Sequence, residues 1–184
     1  MLPLEQYCGK SRFAPPQTPH SNMTISNGIT VSGDPTFNVA SGTTTTVSSP
    51  ITDGGSSGDV VVSGGGTLNL TSANTYTGST TISAGTLKIQ NDSPSMGTTS
   101  IGGSGALVIE PSSTSFTSGF TTGSFPSIGS SLTSVTIGKS GNTADITLPN
   151  AISIAGPINI YGGAINVNNN VTTSSGDILM QASG

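Results

Sequence analysis

The sequence predicts an all-β fold, a right-handed parallel β-helix (β-solenoid) with about 19–20 residues per coil. Three observations carry that expectation. Short segments of one character return at a fixed interval. Within each segment apolar residues alternate with polar ones. Between segments lie glycines and small polar residues suited to tight corners.

The clearest segments are GTLNL at Gly66–Leu70, GTLKI at Gly85–Ile89 and GALVI at Gly105–Ile109. Their leucines Leu68, Leu87 and Leu107 recur at a step of about 20 residues. In each segment two apolar residues fall at i and i+2: Leu68 with Leu70, Leu87 with Ile89, Leu107 with Ile109. In a strand that spacing puts both on one face. Upstream of each lies a shorter apolar element, and Val62, Ile82 and Ile101 repeat at the same step. The interval returns late in the chain. Ile146 and Leu148 are followed one such step on by Ile165 and Val167, and Ile158 and Ile160 by Ile178 and Met180.

A hairpin meander rarely keeps one phase over such intervals, whereas a coil that closes once per interval does. Counterpart strands then stack in parallel at about 4.8 Å, with apolar side chains in interior files and Thr, Ser and Asn outside. Crossovers between parallel strands are right-handed in nearly all cases. The predicted core is therefore Val62, Leu68, Leu70, Ile82, Leu87, Ile89, Ile101, Leu107 and Ile109. Roughly eight coils would make a rod of about 40 Å.

Composition agrees and excludes other classes. The 184 residues include 26 Gly, 31 Ser, 28 Thr and 13 Asn, more than half the chain. Only four residues are Lys or Arg, so the basic face of a nucleic-acid binder is missing. No apolar run approaches the roughly 20 residues of a membrane-spanning helix. Cys8 is the one cysteine, so no disulfide scaffold is expected.

Residues 1–21 differ from the rest. They hold Cys8, Arg12, His20 and the proline-rich FAPPQTPH, and read as an irregular lead-in, a cap or vector-derived sequence. Residues 22–184 read as a single β-helix domain with a Phe-containing loop insertion at 111–132. From Asn22 onward two lysines face seven acids.

VVVSGGGTLNLTSANTYTGSTTISAGTLKI (Val60–Ile89) resembles the autotransporter-associated β-strand repeat of type V secreted passenger domains. The shared pattern is a GxGTL-type strand at Gly64–Leu68, N-T-Y-T-G-x-T at Asn74–Thr80, and T-I-x-x-G-T-L at Thr81–Leu87. Met96–Ile109 is similar to the family's next coil. Pro157–Gly184 resembles filamentous-haemagglutinin-type coils, less specifically. The resemblance implies a bacterial, secreted or surface-exposed β-helix that acts as adhesin or stalk. No signal peptide or translocating barrel is visible, so the chain reads as a passenger fragment or a short secreted relative.

Phe116, Phe120 and Phe125, spaced 4 and 5 apart in a Ser/Thr/Gly matrix, break strand alternation. They read either as a loop folded on the rod or as an exposed apolar contact patch for a partner. Tyr76 reads as a corner tyrosine over the adjacent coil, with Asn74 and Gly78 holding its turn. Thr43–Thr46 invites comparison with the outer threonine ladders of ice-binding solenoids, but no strict T-x-T recurs each coil. Asn166 and Asn168–Asn170 read as a ladder or corner. Asp53 and Asp59 are the nearest acidic pair, without a base or metal-ligand cluster beside them. Gly54–Asp59 lacks the spacing of a calcium nonapeptide. No catalytic, metal or cofactor site is expected. The expected partner is a host-cell, glycan or neighbouring-cell surface. End-to-end self-association is the rival, because open solenoid ends carry unpaired strands. No nucleic acid and no direct membrane span are expected.

Overall fold

The computed structural model describes residues 22–183. The expectations for residues 1–21, Cys8 and His20 lie outside the described residues. The chain winds in three-sided coils. The first holds β1 (Met23–Ile25), β2 (Ile29–Val31) and β3 (Thr36–Val39). The second holds β4 (Thr44–Val47), β5 (Ile51–Asp53) and β6 (Val60–Gly64). The third has β7 (Thr67–Leu70) and β8 (Thr80–Ile82), and the fourth β9 (Thr86–Gln90) and β10 (Ser100–Gly103). The fifth contains β11 (Ala106–Glu110), β12 (Phe120–Thr121), a 3-10 turn at Thr122–Ser124 and β13 (Ser127–Ile128). The sixth has β14 (Ser134–Ile137), β15 (Ile146–Leu148) and β16 (Ile152–Ile154). The seventh has β17 (Ile158–Gly162), β18 (Ile165–Val167) and β19 (Val171–Thr173), and β20 (Ile178–Ala182) opens the eighth.

Among the described residues every pairing is parallel, and the first face is one continuous eight-stranded sheet, β1-β4-β7-β9-β11-β14-β17-β20. The second face comprises β2-β5, an isolated bridge between Asn74 and Met96, and β12-β15-β18. The third comprises β3-β6-β8-β10-β13 and then β16-β19.

The first face explains why the repeat folds this way. Thr45, Leu68, Leu87, Leu107, Val135 and Ile158 pair in sequence and form one interior file. Val47, Leu70, Ile89, Ile109, Ile137 and Ile160 form a second. Leu68, Leu87, Ile89, Leu107, Ile109 and Val135 are fully shielded from solvent. Each such side chain contributes about 1.5–3 kcal/mol on burial. Val62, Leu70, Ile82 and Ile101 are buried as well, within one contiguous core.

Two expectations about the repeat are corrected. The predicted interval holds for the partners Leu68↔Leu87, Leu87↔Leu107 and Ile158↔Ile178, but the step Thr45↔Leu68 is longer and the step Leu107↔Val135 longer still. Extended corners absorb the excess while the first face keeps its register. Val62 does pair with Ile82, but Ile101 pairs with Thr80, and Ile82 pairs with Gly103. The physical reason lies in the glycines. Gly103 has φ +107, and Cβ atoms built on Gly103 and Gly105 would run into the backbone and the side chain of Ile82, so Ile82 fills space that they leave open.

Candidate functional site

The Asn74–Thr80 motif is a corner held by buried polar groups. Asn74 is 1% exposed; its Oδ1 accepts the N–H of Ile51 (2.9 Å), and its Nδ2 donates to the carbonyl of Ser72 (2.9 Å). Tyr76 is fully buried, and its hydroxyl lies 2.6 Å from Thr80 Oγ1, which donates onward to Thr98. Burial pushes the Tyr76 phenol up to about 12, against the opposing effect of its hydrogen bond with Thr80. At Gly78 any Cβ would collide with the carbonyl of Gly58 in the coil below, so only glycine lets the coils close there. These residues position one another.

The acids are corner fastenings. Asp53 Oδ2 accepts from the N–H (3.0 Å) and hydroxyl (2.6 Å) of Thr77, Asp59 Oδ1 accepts the N–H of Ser79 (2.7 Å), and Asp34 Oδ1 accepts the N–H of Asp59 (3.0 Å). Lys88 pairs with Glu110 at 2.7 Å on the outside of the first face. Among the described residues no group of three or more His, Cys, Asp or Glu stands together to hold a metal. Asn166 pairs with Thr147 in the second-face ladder, and the carbonyl of Asn170 accepts from Ile152. In Thr43–Thr46 the file turns Thr45 inward, 7% exposed, above Leu68. The outer column Thr44–Thr67–Thr86 gives way to Ala106.

The departure from regularity is the long fifth coil. Expected as a loop insertion, 111–132 itself supplies β12, the 3-10 turn and β13. Phe116, Phe120 and Phe125 are 5%, 7% and 9% exposed. Phe116 stacks on Phe120 with centroids 5.4 Å apart, and Phe125 meets Phe120 edge-on at 5.6 Å. The reading of these rings as an exposed patch is thereby corrected: they form an aromatic cluster joined to the core. Ring-to-ring packing and burial hold them there in preference to solvent.

Asn142, which the periodicity did not single out, pins this coil. It is 1% exposed; its Oδ1 accepts from Ser115 Oγ (2.8 Å) and Phe116 N (3.2 Å), and its Nδ2 donates to the carbonyl of Tyr161 (2.8 Å). One side chain thus ties the fifth, sixth and seventh coils. No sequence signal separates it from other loop asparagines.

Two recesses flank the cluster. One, of about 190 Å³, lies against Asp92, Pro94, Phe116, Phe120 and Ser124. The other, of about 300 Å³, lies between Thr122, Phe125, Ile128, Asn150, Ala151 and Ile152. Phe125 borders both. The periodicity gave no hint of Thr122, Asn150 or Ala151.

The parallel ladders and interior files define a β-solenoid. Within it, residues 60–89 match the family described as passenger-associated-transport-repeat. That stretch runs from β6 to β9, and in this fold it fits an autotransporter passenger repeat. The expectation of haemagglutinin-type coils at Pro157–Gly184 has no match beside it. No curated protein and no solved structure matches the chain significantly.

Proposed function

We propose that the protein is a non-catalytic β-helix passenger segment, secreted or exposed on a bacterial surface, that serves as an adhesin or structural stalk. One observation carries the reading: a passenger-associated-transport-repeat set inside an unbroken eight-stranded sheet. A ladder that continues through every coil transmits shape along a rod, which suits display at a distance from a cell. Its outer columns are mostly uncharged Thr, Ser and Asn, so contacts with a surface would depend little on salt.

The test is display of the full chain ahead of a translocating barrel on a non-adherent bacterium. External antibody should reach the chain, and the cells should gain attachment to host cells or to one another. A chain that stays inaccessible contradicts surface exposure, and a displayed chain without attachment contradicts the adhesive role. A second reading is end-to-end assembly. Light scattering that grows with protein concentration would support it, and a constant monomer mass would refute it.

A further inference from the structure

We propose that the recesses on either side of Phe125 bind a neutral saccharide. The inference gives the adhesive reading above a ligand class, and its biological use rests on that reading.

The first observation is a pair of gaps in the ladders. Between the fourth and fifth coils the first and third faces pair, through β9-β11 and β10-β13, while β12 has no strand on that side. Between the fifth and sixth coils the first and second faces pair, through β11-β14 and β12-β15, while β13 and β16 do not. The smaller recess, lined by Asp92, Ser93, Pro94 and Phe120, lies at the first gap; the larger, lined by Ser127, Ile128 and Ile152, lies at the second. Strand edges without a ladder present backbone donors and acceptors to whatever occupies the gap.

The second observation is the lining. Phe116, Phe120 and Phe125 line the recesses together with Ser118, Thr121, Ser124 and Ser127. Thr122 lines the larger recess; it is 6% exposed, and its hydroxyl is enclosed without a hydrogen-bond partner. Asp92 is the one charged residue in either lining, and its Oδ1 already accepts the N–H of Ser113 (2.8 Å). Mixed apolar and hydroxyl-bearing walls, with a single carboxylate that is already tied to a backbone N–H, fit a ring that is apolar on its faces and hydroxylated on its rim. That is a hexose unit. A peptide strand fits less well. An inserted strand needs a further spacing of about 4.8 Å, and two directly paired faces at each junction hold the coils together.

The experiment is calorimetry and saturation-transfer NMR on the full chain. The ligands are neutral gluco-, manno- and galacto-oligosaccharides, with sialyllactose and an extended Thr/Val peptide as comparisons. At least one neutral oligosaccharide should bind. Ser118→Trp and Ala151→Trp, at exposed positions that would fill the recesses, should weaken it at least tenfold with Tm unchanged, while Thr46→Trp on the first face should not. Thr122→Val removes an unpartnered hydroxyl, so Tm should hold or rise while binding weakens. Absence of binding by every neutral sugar, binding unmoved by all three recess variants, or preference for the peptide or the charged sugar would overturn the proposal. Sugar binding with no cell attachment would leave the site standing and refute the adhesive reading instead.

Discussion

Leu87→Ala removes the middle of the first interior file. Leu87 is fully shielded, and its register partners Leu68 and Leu107 are shielded too. β9 is bonded to β7 on one side and β11 on the other, so the backbone cannot collapse into the space. Leu→Ala changes in cores cost about 2.7–5 kcal/mol, the upper values where the cavity persists. The expectation here is about 4–5 kcal/mol. A chain of this length carries on the order of 10–25 kcal/mol, so the variant should still fold and the loss can be read. Denaturant unfolding followed by far-UV circular dichroism gives the number, with an unchanged slope showing that the native rod is intact. Ile178→Ala is the control: at 42% exposure it should cost less than about 1 kcal/mol. A loss at Leu87 below about 1 kcal/mol, or equal to that at Ile178, would refute the file.

Three further outcomes are expected. Tyr76, with a folded value of about 12 against 10.0, disfavours tyrosinate; the stability it adds is complete below pH 10 and drains as pH rises from 10 to 12, by about 2–3 kcal/mol in all. Alkaline unfolding curves should show this, and Tyr76→Phe should abolish that component at a cost of about 1 kcal/mol at neutral pH. Gly103→Ala, at φ +107 and against the Ile82 backbone, should cost more than about 1 kcal/mol, whereas Gly55→Ala, with open space around it, should be nearly neutral in thermal melts. Asn142→Ala leaves the Phe116 N–H and the Tyr161 carbonyl without a partner, and should cost about 2–4 kcal/mol and speed proteolysis within 111–132.

The first-face alternation was legible because its side chains obey a period of two and its glycines fall at fixed phase. Leu68, Leu87 and Leu107, like Ile158 and Ile178, could be matched by counting. The third face was less so. Ile101 follows Ile82 at the repeat interval, yet the missing side chains of Gly103 and Gly105 let the ladder settle with Ile101 opposite Thr80, and spacing alone does not weigh that space. Thr45 looked like surface, but file position outranks polarity where a hydroxyl can be accommodated at 7% exposure. The three phenylalanines could be noticed but not placed, because their burial depends on Asn142 and on rings closing over one another across a coil. The recesses were illegible, since they arise from strands that fail to pair.

The stacking itself is tested most directly by electron-paramagnetic-resonance distances. Thr46, Asn69, Lys88, Val108, Thr136 and Asn159 are successive register partners on the outside of the first face. With Cys8 replaced by serine, labels at Thr46 and Val108 should lie about 14 Å apart, and labels at Thr46 and Asn159 about 24 Å, in step with a strand spacing of about 4.8 Å. Distances that do not grow with the number of intervening coils, or a broad spread for either pair, would contradict the solenoid.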